Sequence, residues 1–241
     1  SAALGQANAV GNLAVKAMGT GSSASNGFLF QNTTGKPLTV STVDGVVGIS
    51  TKGGNVTLQT DSLNIVQALD VRGVTTSSVF ISPTTSTRKI NVGTEDASSL
   101  SLTQTELNFL STGPTGLLRV GDALNTGGIS LTTNVAPGAN LTSLSLKTGS
   151  GITQVAGTSL GFKNLAVESG SGAVSLVGTN TETGLLAAKT AGSFTYTYGG
   201  GGAADLAVDT LDGIDGVNSG GNAIALSATG AISLNKAVNS G

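Results

Sequence analysis

Short runs of an apolar residue, a small or polar one and a second apolar residue recur from one end of this chain to the other. In order they begin with Leu38–Val40, Val56–Leu58, Leu63–Ile65, Val79–Ile81, Ile90–Val92, Leu100–Leu102 and Leu118–Val120. The series goes on through Ile129–Leu131, Leu144–Leu146, Leu165–Val167, Val174–Leu176, Phe194–Tyr196, Leu206–Val208, Ile224–Leu226 and Ile232–Leu234. Alternation at period 2 puts the apolar pair on one face of an extended strand. Clusters of Gly, Asn, Asp, Ser and Thr separate the runs, as turns require. Helical patterning is weak. Gln6–Met18 is interrupted by Gly11, and Thr103–Leu110 could make one turn capped by Thr103 or Thr105. Its neighbours are all strand-like, so strand and corner is the expectation there.

Regular short strands between turns suit a sandwich, a barrel or a solenoid. Three features favour the solenoid. Inward positions are small aliphatics, and aromatic residues make up only 3% of the chain. Gly-Gly-Ile129-Ser-Leu131, Gly-Ala-Val174-Ser-Leu176 and Gly-Ala-Ile232-Ser-Leu234 share one opening formula. Outward positions favour Ser, Thr, Asn and Gln, which can form ladders where stacked like charges would repel. The expected fold is all-β, a single-stranded right-handed parallel β-helix running continuously through residues 1–241. Coils of about 20 residues would give a rod about 50 to 60 Å long at ordinary strand spacing.

A longer repeat lies over the short one. Leu38–Leu58 reads LTVSTVDGVVGISTKGGNVTL, and Leu206–Leu226 reads LAVDTLDGIDGVNSGGNAIAL. The two blocks share Asp-Gly (Asp44–Gly45, Asp212–Gly213) and Gly-Gly-Asn (Gly53–Asn55, Gly220–Asn222), about 168 residues apart. We read 38–58 and 206–226 as phase marks of a long repeat, which suggests a segment of something longer.

Composition narrows function. Cys and His are both absent, which removes disulfides, the commonest zinc ligands and the commonest general base. The net charge of −2 with scattered Lys and Arg offers no electrostatic footprint for nucleic acid. No apolar run reaches the roughly 18 residues of a membrane span. The opening SAALGQANAVGNLAVKAMG lacks the basic and sustained apolar regions of a signal peptide.

Several clusters admit a chemical reading beside a structural one. Asp205, Asp209, Asp212 and Asp215 offer clustered oxygens for calcium, or are turn and corner aspartates. Arg88, Lys89, Glu95, Asp96 and Arg119 would suit a carbohydrate-active enzyme, or Arg88 and Arg119 cap and bridge coils. Thr103–Thr105, Thr181–Thr183 and Thr195–Thr197 resemble ice-binding threonine pairs without recurring once per coil. Asn32, Asn55 and Asn140 open glycosylation sequons, and Phe194, Tyr196 and Tyr198 either fill core or stack on a sugar. In every case the structural reading is preferred. No residue is assigned a catalytic, cofactor-binding or metal-ligating role, and no cofactor is expected.

The segment from Val43 to Val217 resembles the long repeat of filamentous-haemagglutinin-like exoproteins, bacterial surface adhesins exported by two-partner secretion. The resemblance rests on TVDGVVG, GGNVTLQTDSLNI, VFISPTTSTRKINVG, LSLTQTELNFL, LLRVGDALNTGGISL, LSLKTGSGITQ and LAVESGSGAVSL, then TLDGIDGV. It implies a secreted, fibrous repeat protein displayed on the outer cell surface or released outside the cell, serving adhesion or fibre building. Head-to-tail self-association along the solenoid axis is the expected partnership. Glycans or proteins on host or neighbouring cells are further candidate partners; nucleic acid is not. The alternative is a β-helical carbohydrate-active enzyme of the lyase or hydrolase type.

Overall fold

The structure, a computed structural model, describes residues 2–16, 22–181, 184–199 and 205–241. It is nearly all β, with 48% strand and 3% helix. Each alternating run named above lies within a strand. The strands pair in parallel throughout, apart from two small antiparallel hairpins at Thr42–Val47 and Thr210–Asp215.

The main sheet takes one strand from each pass of the chain. Phe28, Val56, Val79, Leu118, Leu144, Leu165, Leu186 and Val208 form one in-register column. Phe30, Leu58, Ile81, Val120, Leu146, Val167, Ala188 and Val217 form the next inward column. Nearly all are sealed from solvent. These layers bury their apolar pairs against the layers on either side, so the core is a long stack of mainly aliphatic side chains, with Phe28, Phe30, Phe162, Phe194, Tyr196 and Tyr198 among them. Fully burying each Val, Leu or Ile contributes about 1.5–3 kcal/mol. Leu144, Leu165 and Leu186 recur every 21 residues, close to the expected coil length. Val79 and Leu118 are partners 39 residues apart, because an excursion intervenes.

A seven-stranded sheet flanks the main one, with Leu100, Ile90, Ile129, Ile152, Val174, Phe194 and Ile224 in one column. Its spatial order departs from chain order at one place. Ser99–Thr103 follows Lys89–Gly93 in the chain but lies on the side of earlier layers, away from Ile129–Leu131. Thr94–Ser98 makes this parallel connection in five residues, where about a dozen are usual. It does so by lying over the two strands it joins. Asn91 Nδ2 donates to Thr94 O at 2.8 Å, and Asp96 N donates to Ser101 Oγ at 2.9 Å.

The chain then makes one helical turn, Gln104–Leu107, where strand and corner were expected. The reason is a capping box. Thr103 Oγ1 accepts from Glu106 N, and the Glu106 carboxylate accepts from Thr103 N at 2.8 Å. The same buried carboxylate accepts Ile65 N at 3.0 Å and so ties the turn to the layer beneath. Three- and four-stranded sheets complete the early layers, pairing Leu38–Val40 with Leu63–Ile65 and Ile49–Ser50 with Leu69–Asp70. Of Gln6–Met18, Gln6–Asn8, Asn12–Leu13 and Val15–Lys16 are strand, and Ala17 and Met18 lie outside the described residues.

Candidate functional site

Both copies of the Asp-Gly block form the same device, a hairpin inserted into a layer. Asp44 and Gly45 have φ of 48° and 74°, and Asp212 and Gly213 have 52° and 77°. Two successive residues of positive φ make the primed turn that suits a two-residue hairpin, and Asp-Gly is among its preferred sequences. The arms return to the layer at Gly48 and Gly216, also of positive φ. A Cβ there would stand 2.1 Å from Ala68 O or 2.3 Å from Ala237 O, so each glycine allows the next layer to approach.

The second hairpin lies on the outer face of the main sheet. The outward column beneath and beyond it reads Phe80, Arg119, Ser145, Ala166, Ala187. Ile214 and Leu211 pack on Ala166 and Ala187, whose small side chains leave room for them. At the tip, Asp212 accepts from Arg119 Nε at 2.9 Å, from Arg119 Nη2 and from Ser145 Oγ at 2.6 Å. The Arg119 guanidinium lies 4.7 Å from the centre of the Phe80 ring. The hairpin thereby clasps four successive strands. Alongside, Lys147, Glu168 and Lys189 alternate in sign down one register, with Lys147 Nζ 2.6 Å from Glu168.

The other three clustered aspartates are each held by hydrogen bonds, Asp209 and Asp215 sharing Thr210. Asp205 accepts Ala231 N at 3.2 Å. Asp209 accepts Thr210 N at 2.8 Å and Asn235 Nδ2 at 3.1 Å. Asp215 accepts from the Thr210 hydroxyl and pairs with Lys236 at 3.1 Å. Hydrogen bonding first, and for both the nearby Lys236, hold Asp209 and Asp215 below the usual carboxylate range. Among the described residues no group of three or more carboxylates is gathered around one point.

Arg88, Lys89 and Glu95 meet at a groove of about 880 Å³, lined also by Lys36, Asp61 and Thr85. Arg88 bridges layers here, donating to Asp61 O at 3.1 Å, Ala97 O at 2.7 Å and Ser99 O at 3.0 Å. Asp61 is buried, and its two oxygens accept Thr85 N at 2.8 Å and Thr85 Oγ1 at 2.6 Å. Asp96 faces its own loop, accepting from Ser98 N, Ser98 Oγ and Ser99 Oγ. Burial, then the charges of Glu106 and Asp96, push the Glu95 carboxyl up. Beneath this loop, Asn91 Oδ1 is buried without a hydrogen-bond partner. The groove is therefore a seam in the layer stack, with its arginine and its buried aspartate both holding backbone.

The remaining motifs fall in unlike settings. Phe194, Tyr196 and Tyr198 are core. Asn32 is fully buried, donating to Val10 O and Lys36 O and accepting Val10 N, so its sequon is closed to a glycan. Asn55 and Asn140 are exposed. Thr103 caps the helical turn and Thr195 and Thr197 face outward on a strand, while Thr183 lies outside the described residues, as do Gly200–Gly202 of the glycine run. Among the described residues, no helix is long and apolar enough to cross a membrane. The docked hairpin was missed as a site because Asp212 and Arg119 stand 93 residues apart with no local signal linking them. No protein-family model, curated protein or solved structure matches the chain.

Proposed function

We propose that this chain is a segment of a right-handed parallel β-helix and serves as a structural and adhesive module of a secreted or surface-displayed fibrous protein. The resemblance to filamentous-haemagglutinin-like exoproteins suggests this role. The observation that carries it is the parallel main ladder, in which successive passes of the chain from Phe28 to Val208 each add a strand with buried apolar side chains. Such a stack gains stability from neighbour to neighbour and makes a stiff rod whose long sides are free for attachment. Copies joined head to tail along the axis would extend the rod outside the cell. Glycans or proteins of facing surfaces are its proposed ligands.

Small-angle scattering tests the shape: the expected particle is a rod about 50 Å long or more, at about 4.8 Å per layer. A globular profile would overturn the reading. The groove at Arg88 and Glu95 is the place that would suit the enzyme alternative, whose hydrolase form needs two free carboxylates facing one bond. Its Asp61 already holds Thr85 with both oxygens. Incubation with a polysaccharide panel should release no reducing ends or unsaturated products; sustained turnover would favour the enzyme.

A further inference from the structure

Four strands of adjoining layers start at one groove. Pro37, Ser62, Arg88 and Ser98 directly precede Leu38–Val40, Leu63–Ile65, Lys89–Gly93 and Ser99–Thr103, and all four line the space of about 880 Å³. The ladder is interrupted here. Leu63–Ile65 ends one sheet and Ser99–Thr103 opens the next, and Ile65 N is taken by Glu106 rather than by a neighbouring strand. The volume falls in the range of small-ligand sites, about 300–1,000 Å³.

Buried polar side chains anchor its rims. Asn32 donates to Lys36 O at 2.9 Å, at the end of a turn in which Lys36 N donates to Thr33 O at 3.3 Å. Asn32 O accepts from Thr84 Oγ1 at 3.0 Å, which joins this turn to the next. There Asp61 grips Thr85, and Arg88 N donates to Thr85 O at 2.9 Å. The turns that carry Lys36 and Lys89 are thus fixed from inside, so a ligand need not order them.

What the turns hold outward is uncommitted. Lys36, Arg88 and Lys89 are three of the chain's eleven Lys and Arg, and none belongs to the four ion pairs among the described residues. Arg88 gives its donors to backbone carbonyls. The Lys36 and Lys89 ammonium groups and the Thr34, Ser62 and Thr87 hydroxyls make no hydrogen bond among the described residues. Of the two carboxylates, Asp61 is buried and occupied by Thr85. Glu95 is pushed up by burial and by Glu106 and Asp96, the reverse of what an ammonium partner would do. The groove therefore sets three cations against two carboxylates, among open hydroxyls and without an aromatic ring.

We infer that this groove binds an acidic oligosaccharide, with Lys36 and Lys89 facing uronate carboxylates and the Thr34, Ser62 and Thr87 hydroxyls exchanging hydrogen bonds with sugar hydroxyls. The inference rests on the glycan-binding role proposed above and names the class of glycan. An ammonium answers a carboxylate as a point charge without demanding one orientation, and a hydroxyl both donates and accepts, as sugar hydroxyls do.

Calorimetric titration of the full chain with a short oligogalacturonate tests this, with the fully methyl-esterified form presenting the same rings without charge. The acid form should bind, and the ester about tenfold more weakly or worse. Lys36→Ala and Lys89→Ala should each weaken binding of the acid about tenfold, roughly 1.4 kcal/mol, with melting temperatures showing that both variants are folded. Glu95→Gln, which removes a negative charge beside the cations, should strengthen binding about threefold. Lys163→Ala, outside the groove, should leave it unchanged. If the acid binds and the two lysine variants bind it equally well, the groove is overturned as the site. Equal binding of the ester, or of dextran sulfate, overturns the assignment to carboxylates. An acid form that does not bind overturns the inference as a whole, while a rod in scattering and attachment to other glycans would leave the adhesive reading standing.

Discussion

Asp96 is held far below the ordinary carboxylate value of 3.8, to about 2, first by the Ser99 hydroxyl and then by the Ser98 N–H and hydroxyl. A carboxyl lowered on folding contributes stability that is present above its unfolded value and lost as pH falls through the folded one. For Asp96 that window runs from about 4 down to about 2. Glu95 has the opposite sign, because its raised value means that ionisation works against the folded state. Thermal unfolding followed across acid pH should show Asp96→Asn with a flatter loss of stability between pH 4 and pH 2. Glu95→Gln should instead raise the melting temperature near neutrality. An Asp96→Asn variant with the wild-type acid profile would mean that the loop does not need this carboxylate. Residue roles of this kind were only partly legible. Thr103 with Glu106 three residues on is a capping signal written in the sequence. Asp96 with Ser98 and Ser99 two and three residues on is likewise a local turn pattern, but nothing local shows that the loop it braces joins strands out of spatial order.

At the scale of elements, the hairpin depends on its return to the layer as much as on its turn. Gly213 has φ of 77° in open space, so Gly213→Ala meets backbone strain alone, about 1–2 kcal/mol. Gly216 has φ of 73° and faces Ala237 O at 2.3 Å from a built Cβ, so Gly216→Ala adds a backbone clash to the strain. Urea titration should rank Gly216→Ala as the more damaging by at least about 1 kcal/mol; equal midpoints would contradict the close approach. The alternating triplets were legible because three residues suffice to show period 2. The two-residue strands at Val15–Lys16, Ile49–Ser50, Leu69–Asp70 and Leu110–Ser111 were not, since two residues carry no period. They exist because their neighbours offer backbone partners, a tertiary cause that no short window contains.

Across the whole molecule, stability is a sum over adjoining layers, and damage in the middle of the stack is felt on both sides. Leu144 is 1% exposed between Leu118 and Leu165. Leu144→Ala should cost about 2–5 kcal/mol, because a cavity opens to both neighbours. Hydrogen exchange should then show faster opening in Leu118–Val120 and Asn164–Ser169 while the early strands keep their protection. Uniform loss of protection along the chain would instead show that all layers open as one cooperative unit. The all-β character of the molecule could be read from the alternation, and its parallel stacking from the small inward residues, the shared opening formula and the ladder-forming outward residues, but the exchange of order between Lys89–Gly93 and Ser99–Thr103 could not. Both segments are good strands, and the sequence of either is compatible with either place.

The docked hairpin has one more consequence. Asp212 finds Arg119 and Ser145 on the outside only if the strands carrying Arg119, Ser145, Ala166 and Ala187 are each aligned as observed. A slip of one residue in any of them would turn a leucine or valine outward and an alanine, serine or arginine inward. Ile214 would then meet bulk where it needs a hollow, and Asp212 would lose its donors. The hairpin is thus a gauge laid across four strands: it fits when the count beneath it is right, and a miscounted stack leaves it standing off in solvent.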